Sequence, residues 1–152
     1  MKYRFATIAD CPLLAEWNHQ LIHDEGHRNP MAVAELEKRM HDWLDSAEYR
    51  AVIFSEKNEV VAYALFRETE YEIYLRQFFV VRHRRREGLG RRAIQHLFDE
   101  LWSPHKRWTV AVLIKNLPAL AFWRAMGYDD YALNLEITPD RQPVGRRGDW
   151  RL

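Results

Sequence analysis

Glycines and arginines lie together in the middle of the chain, between a strand-like run and a helical run. Residues 85–90 read RREGLG, and further arginines stand at positions 82, 84, 91 and 92. Two glycines let a backbone turn sharply and approach a ligand, while the start of a helix presents N–H groups that have no partner within the helix. Guanidinium groups add cations that bind phosphates. This combination predicts a site for a pyrophosphate group.

Three other interpretations of this segment remain open. Gly88 to Ala93 fits the pattern G-x-G-x-x-A of dinucleotide-binding folds, but that pattern belongs to the first βα turn and expects an acidic residue about twenty positions later. Residues 107–111 contain no acid. Nucleic-acid binding is disfavoured because aromatic residues are not interleaved with the arginines and the formal net charge is only +1. A solvated, charged turn without a ligand is the third alternative.

The hydrophobic periodicity around this segment predicts one α/β domain over residues 1–152, with the element order βαα-βββ-αβ-αβ and a mixed sheet. Three consecutive strands with short connections predict an antiparallel meander. The predicted strands cover 2–7, 51–54, 60–66, 71–81, 108–114 and 128–137, and the predicted helices cover about 11–23, 36–44, 89–101 and 116–127. From about residue 139 the chain reads as an irregular tail.

Composition places the chain among ordinary globular proteins and limits its class. It has 152 residues, of which 47% are hydrophobic and 30% charged, as expected for one folded domain. Its single cysteine, Cys11, excludes an internal disulfide framework and a multi-thiolate zinc site, and we expect no bound metal. The N-terminus lacks an apolar signal region, and no apolar run approaches the roughly twenty residues of a membrane helix. We therefore expect a cytoplasmic protein that binds neither membranes nor nucleic acid.

Two motifs resemble those of the GNAT superfamily of N-acetyltransferases. Arg85, Gly88 and Gly90 match its phosphate-binding signature, Q/R-x-x-G-x-G/A. A second block, N-x-x-A-x-x-F-W followed by G-Y, runs from Asn116 to Tyr128, and one helix and one strand separate the two blocks as they do in the family. The resemblance covers roughly residues 3–136. It implies a GNAT-like α/β fold, a mixed, mostly antiparallel sheet of six to seven strands with splayed central strands and about four flanking helices.

The resemblance implies acetyl-CoA as the cofactor and assigns residues to it. The pantetheine arm is expected to pair like an added strand with the backbone around Phe79, Val80 and Val81. Asn116 and Phe122 are expected to contact the arm from the other side, although Asn116 also suits a helix N-cap and Phe122 a core position. The pyrophosphate is expected on the glycine turn that Arg85 opens, at the backbone N–H groups of Arg86, Gly88, Leu89, Gly90 and Arg91.

The acid and the base that this family commonly uses are missing from their usual positions. Trp123 replaces the tyrosine that acts as general acid in many members, and an indole N–H is no useful proton source. Glutamates that serve some members as bases fall at Arg76 and Ala111. Acetyl transfer to an amine nevertheless needs a neutral amine, a stabilised oxyanion and a protonated leaving thiolate.

Other residues could substitute for these groups. Glu72 and Tyr74 share a strand face with Arg76 if the strand is regular, so Tyr74 could protonate the thiolate and Glu72 could deprotonate the amine through water. Glu25 is a second candidate base, and the backbone N–H of Val80 is the oxyanion donor that the resemblance implies. Positioning of the reactants alone could also suffice, with each of these side chains purely structural.

Arg76 also suggests which acceptor binds. A cation at this point could hold a carboxylate through a bidentate pair while Asp24 or Glu25 holds an ammonium group, although an Arg76–Glu72 ion pair or a solvated edge is the simpler interpretation. We therefore expect an enzyme that transfers acetyl from acetyl-CoA to a primary amine of a small molecule, by direct attack in a ternary complex. The alternatives are a non-catalytic acetyl-CoA sensor and a dinucleotide-binding domain, and analogy with the family allows a homodimer.

Overall fold

A computed structural model describes residues 1–141, and this part of the chain forms a five-stranded sheet with helices on both faces. The strands are β1 (Lys2–Phe5), β2 (Arg50–Glu56), β3 (Glu59–Glu68), β4 (Glu72–Val80) and β5 (Arg107–Val110). The helices are α1 (Cys11–Glu25), α2 (Val33–Asp45), α3 (Leu89–His96) and α4 (Leu117–Ala125). The predicted α/β class is confirmed. Most of the predicted irregular tail falls in residues 142–152, which lie outside the described residues.

The strands lie in the sheet in the same order as along the chain, β1-β2-β3-β4-β5. The first four pair antiparallel with their neighbours, whereas β5 pairs parallel with β4. The predicted meander is therefore confirmed. Its first turn is tight because Lys57 and Asn58 adopt left-handed backbone angles, with φ of 50° and 66°, as a two-residue hairpin turn requires.

The predicted count of six to seven strands is wrong for the described residues, which contain five. The last predicted strand, 128–137, is irregular, and its Tyr131 and Leu135 are more than 80% exposed. An alternating sequence becomes a strand only when it finds an edge to pair with and a face to bury, and β5 is only four residues long. Side chains hold the segment instead, since Arg107 lies 4.5 Å from the centre of the Tyr131 ring.

The helices cover the two faces of the sheet through aromatic contacts. On one face, the ring of Trp17 in α1 stacks on Tyr63 of β3 at 6.0 Å and contacts Phe79 of β4 at 5.7 Å. The second helix, α2, packs beside α1. On the other face, Phe78 of β4 stacks on Phe122 of α4 at 6.2 Å. Within residues 1–141, no helix is long and apolar enough to cross a membrane.

The middle of β4 contains one residue more than the facing part of β3. Leu65 pairs with Gln77, and the next residue of β3, Phe66, pairs with Leu75, so Arg76 has no partner in β3. This arrangement is a β-bulge, which bends a strand and increases its twist. Pairing with β5 involves only the four residues of β4 that precede Arg76. The two strands therefore separate at the bulge, where a gap opens between them.

We expect the contact between α1 and the sheet to be a major source of stability. Trp17→Ala should lower the free energy of unfolding by about 3–5 kcal/mol, because it removes a buried indole between Tyr63 and Phe79 and leaves a cavity. Urea unfolding followed by circular dichroism measures the change. Tyr71→Ala, at a ring that is 75% exposed, is the control and should change the free energy by less than about 0.5 kcal/mol. Equal effects of the two substitutions would contradict this role of Trp17.

Candidate active site

The unpaired edge of β4 offers backbone groups to a ligand. The N–H of Val81 donates to the C=O of Val61 in β3 at 2.8 Å. Because successive residues of a strand direct their N–H and C=O groups to opposite sides, Phe78 and Val80 direct theirs away from β3. Since β5 does not pair with this part of β4, these groups face the gap. An extended ligand chain can add to such an edge as a strand does.

Of the three residues expected to bind a ligand at this edge, only one directs its backbone N–H into the gap. The N–H of Val80 faces the gap, whereas Phe79 and Val81 direct their backbone N–H groups towards β3. Phe78, which the sequence reasoning did not single out, presents a second N–H to the gap. The C=O of Val80 accepts a hydrogen bond from Nε of Arg85 at 2.9 Å, and this bond joins the end of β4 to the glycine turn.

The glycine turn begins α3 at the same end of β4. Gly88 has a φ of +76° and precedes Leu89, the first residue of the helix, and Arg86 also has a left-handed φ of 66°. Within residues 1–141, the N–H groups of Gly88, Leu89, Gly90 and Arg91 donate to no protein acceptor. These groups have the arrangement that an anion-binding helix start requires.

Gly90 lies where α3 approaches β4. A methyl group on its Cα would meet side-chain atoms of Val80, Phe78 and Phe122 at 3.5–3.7 Å, which is ordinary van der Waals contact. The half-buried Phe122 therefore packs beside the gap, against both the helix start and the strand edge. The apolar side of the gap is formed by these three side chains.

The bounds of α4 follow from its sequence and place two motif residues. Oδ1 of Asn116 accepts a hydrogen bond from the N–H of Ala119 at 3.3 Å, which confirms the N-cap interpretation. Gly127 follows the end of the helix with a φ of +108°. Trp123 is only 8% exposed, and its ring packs edge-on against Phe78. Trp123 is therefore a core residue, and its indole cannot serve as a proton source at the gap.

Most of the arginines around the turn are paired with carboxylates. The pairs, at 2.6–3.3 Å, are Arg82 and Arg85 with Asp24, Arg84 with Glu59, and Arg92 with Glu56. In the described part of the chain, Arg86 and Arg91 have no carboxylate within 4 Å, and both side chains are exposed. The structure thus separates the arginines that support the turn from those that can reach a phosphate.

Asp24 connects α1 to the glycine turn. Its carboxylate accepts hydrogen bonds from Arg82 at 2.8 Å and from Arg85 at 2.7 Å. Burial acts to raise the pKa of Asp24, but the two guanidinium groups outweigh it and hold the pKa below its usual value. Asp24 therefore stays ionised and holds the end of α1 against the turn. This pairing does not support the expectation that Asp24 binds an ammonium group of the acceptor.

Glu72 and Tyr74 lie on the part of β4 that still pairs with β5, before the gap opens. The two carboxylate oxygens of Glu72 accept hydrogen bonds from Thr109 at 2.7 Å and from Arg107 at 3.1 Å. Glu72 is therefore poorly placed to take a proton from an amine. Burial raises the pKa of Tyr74, so its hydroxyl stays protonated. Tyr74 and Arg76 share a face, as predicted, because Arg67 lies over both the Tyr74 ring and the Tyr49 ring, and Arg76 donates to the Tyr49 hydroxyl.

Glu25 is the carboxylate best suited to accept a proton. It is the last residue of α1, and its side chain is 26% exposed. Burial raises the pKa of Glu25 above its usual value, and His27, whose Nε2 is 3.7 Å away, offsets only part of this effect. Burial raises the pKa of Tyr63, and the negative charge of Glu25 also acts to raise it. The buried hydroxyl of Tyr63 donates to Oε1 of Gln77 at 2.9 Å. Glu25 therefore belongs to the α1 face of the sheet, beside β3 and β4.

Arg76 points towards α2. The predicted ion pair with Glu72 is not formed, because Glu72 pairs with Arg107, whereas the predicted exposure of Arg76 to solvent is found. Its guanidinium carbon lies 4.8 Å from the centre of the Trp43 ring, and it donates to the Tyr49 hydroxyl at 3.3 Å. Arg39 lies over the same ring at 4.4 Å. The sequence reasoning did not single out Arg39, Trp43 and Tyr49, which surround Arg76. The available signal was the four-residue spacing of Arg39 and Trp43, which puts both on one helix face.

The gap between β4 and β5, the glycine turn and the capped helix α4 agree with a comparison with known protein families. The model of the acetyltransferase (GNAT) family matches residues 14–128. The chain therefore belongs to the GNAT acetyltransferase family, as its two motifs predict. A search of curated protein sequences finds no match.

Solved structures from several bacteria share the fold. A possible acetyltransferase from Clostridium difficile 630 is 16% identical with a TM-score of 0.74, over 93% of this chain and 98% of that one. A predicted acetyltransferase with acetyl-CoA from Clostridium acetobutylicum is 18% identical with a TM-score of 0.70, over 90% and 95%. An aminoglycoside 6′-N-acetyltransferase from Acinetobacter haemolyticus is 16% identical with a TM-score of 0.72, over 93% and 100%. At these identities the likeness establishes the fold.

Substitution of the two glycines of the turn should have opposite effects on stability. Gly88→Ala should lower the free energy of unfolding by about 1–2 kcal/mol, because a Cβ disfavours a φ of +76°. Gly90→Ala should raise it by about 0.5–1 kcal/mol, because the methyl group fits at ordinary contact distance and alanine favours a helix. Urea unfolding of both variants gives the two signs. Similar losses in both would show that the turn is not built in this way.

Proposed function

We propose that this chain transfers an acetyl group from acetyl-CoA to a primary amine of a small molecule, by direct attack in a ternary complex. The observation that carries the proposal is the gap between β4 and β5, which opens beside the start of α3. The gap offers the N–H groups of Phe78 and Val80 to an extended arm, and the helix start offers N–H groups to a pyrophosphate. One ligand with both parts can therefore bind along one end of β4.

The residues around the gap fit acetyl-CoA. Arg86 and Arg91 stand at the helix start, exposed and without a carboxylate partner in residues 1–141, and would bind phosphate oxygens. Val80, Phe78 and Phe122 line the gap with apolar side chains that suit the arm of the ligand. The structure of the Clostridium acetobutylicum relative with acetyl-CoA shows the same fold, which supports this choice of ligand.

Two groups of the chain would serve the transfer. Acetyl-CoA supplies a thioester, whose acetyl carbon bonds to the amine nitrogen as the carbon–sulfur bond breaks. The N–H of Val80 donates to the oxyanion. Glu25 accepts the amine proton, directly or through water, because its raised pKa makes it a stronger base than an ordinary glutamate. The leaving thiolate takes a proton from solvent, because Tyr74, the acid that the sequence suggests, lies on β4 before the gap opens and its raised pKa makes it a weaker acid.

The competing function is a sensor that binds acetyl-CoA without catalysis. The observation that favours it is the burial of Trp123, at the position where many family members have their acid. Both functions need the same cofactor site, so cofactor binding does not separate them. Release of the CoA thiol in the presence of an amine does, because only the enzyme consumes acetyl-CoA.

Acetyl-CoA and CoA should stabilise the chain against unfolding, whereas NAD should not. A ligand at about 100 times its Kd adds roughly 2.7 kcal/mol to the free energy of unfolding, which is measured as a rise in Tm. Arg91→Gln should raise the Kd for CoA about tenfold, because it removes a charged hydrogen-bond donor from the helix start. Arg92→Gln is the matched control, because Arg92 pairs with Glu56. Absence of stabilisation by either CoA compound would contradict the proposed function.

Glu25→Gln should remove the acidic limb of the pH–rate profile. A base acts only when deprotonated, so the rate falls as pH drops through its pKa, and the raised pKa of Glu25 puts this fall above the ordinary glutamate value of about 4.3. At neutral pH, kcat/KM should fall about 100-fold. Thiol release with a panel of amines measures both effects.

Glu72→Gln is the control for this experiment and should retain the acidic limb, because Glu72 is held by Thr109 and Arg107. An unchanged limb in Glu25→Gln would show that Glu25 is not the base. If the wild-type chain binds acetyl-CoA but releases no thiol with any amine, the sensor is favoured.

A further inference from the structure

Two arginines converge on one indole ring on the α2 side of the gap. The guanidinium carbons of Arg39 and Arg76 lie 4.4 Å and 4.8 Å from the centre of the Trp43 ring. Arg76 also donates to the hydroxyl of Tyr49 at 3.3 Å. We call these four residues the Trp43 cluster. It joins α2 to the bulge of β4, because Arg39 and Trp43 belong to the helix and Arg76 is the bulged residue.

The two positive charges of the Trp43 cluster are not paired with a carboxylate in the part of the chain that the structure describes. In residues 1–141, neither Arg39 nor Arg76 has a carboxylate within 4 Å. Nε of Arg39 is buried and has no hydrogen-bond partner in this part of the chain. Burial and the neighbouring Arg76 both lower the pKa of Arg39, as expected when a cation is partly desolvated beside another cation. An anion at this point would relieve the repulsion and supply the missing acceptor.

The Trp43 cluster lies where an acceptor would approach the acetyl group. Arg76 is the residue at which β4 and β5 separate, and Val80 follows four positions later. Four residues of a strand span about 13 Å, and the long side chain of arginine covers part of that distance. Tyr63 lies on the face of the sheet that α1 covers, and its pKa, raised by burial, is raised further by the charge of Glu25 and lowered by that of Arg39. Glu25, at the end of α1, and the Trp43 cluster, beside α2, therefore lie on the same side of the sheet, where α1 packs on β3 and β4 and α2 packs beside α1.

We propose that the Trp43 cluster binds a carboxylate of the acceptor, so that the enzyme acetylates amines that also carry a carboxylate group. This inference rests on the proposed function, because it names the substrate class of the same site. Arg39 and Arg76 donate N–H groups to the carboxylate oxygens, while Trp43 and Tyr49 hold the guanidinium groups in place. When Glu25 is ionised, Arg39, Arg76 and Glu25 together carry one net positive charge. A neutral amine that carries one carboxylate balances it.

The test compares matched pairs of ligands that differ only in charge. The probes are ω-amino acids of increasing chain length, from glycine to aminocaproate, and the corresponding amides. Binding to the full chain in the presence of CoA is measured by calorimetry, and acetylation is measured separately by thiol release from acetyl-CoA. At the best chain length, the carboxylate should bind about tenfold or more tightly than its amide.

Three arginine substitutions identify the residues responsible. Arg76→Gln and Arg39→Gln should each remove most of the preference for the carboxylate, and Arg76→Lys, which keeps the charge but not the planar fork, should retain part of it. Arg67→Gln is the matched control and should keep the preference, because Arg67 also lies over the Tyr49 ring but is 3.8 Å from Glu48. Circular dichroism and the unfolding midpoint show that each variant is folded.

Several results would overturn the proposal. These are equal binding of carboxylates and amides, no saturable binding of any carboxylate, or an equal loss for both ligands in Arg76→Gln. Tighter binding of aminoalkyl phosphonates than of carboxylates would also overturn it, because a dianion would then be the preferred ligand. Because binding and turnover are measured separately, carboxylate binding without thiol release would support the carboxylate site and contradict the proposed acetyl transfer.

Discussion

The candidate site depends on the extra residue that Arg76 inserts into β4. Pairing with β3 continues on both sides of this bulge, whereas pairing with β5 stops before it. Phe78 and Val80 consequently direct their N–H groups into a gap, where a regular parallel strand would have satisfied them. The bulged residue also turns its side chain towards Trp43. One inserted residue therefore stands where the edge opens that can hold an extended ligand, and it contributes one of the two cations of the carboxylate site that we propose.

Ion pairing decides which arginines near the glycine turn remain for a ligand. Asp24, close to the end of α1, accepts hydrogen bonds from Arg82 and Arg85, and Arg85 also bonds the C=O of Val80. These contacts hold the helix, the strand and the turn together, so the start of α3 stays at the end of the gap. Because most of the local positive charge is balanced within the protein, only a small part of a large arginine cluster is left to bind phosphates.

The acceptor side differs from the family pattern at the positions that carry the chemistry. Trp123 is a core residue, and Arg76 stands at a position where some family members have a glutamate. In our proposal the base comes from another element, at the end of α1, where burial makes Glu25 a stronger base. Because the proposed base is Glu25 of α1, the side chain at position 76 of β4 is available to bind the acceptor.

Local signals were sufficient to predict the element order as far as α4 and the turns, because glycines, caps and hydrophobic periodicity act over a few residues. Gly88 and Asn116 have the backbone angle and the hydrogen bond that their positions predict. The same signals failed for 128–137, which alternates like a strand but has no partner edge. The Trp43 cluster and the choice of Glu25 over Glu72 were also beyond local signals. Both depend on side chains from distant segments, whose burial and ion pairs exist only once helices and sheet have packed.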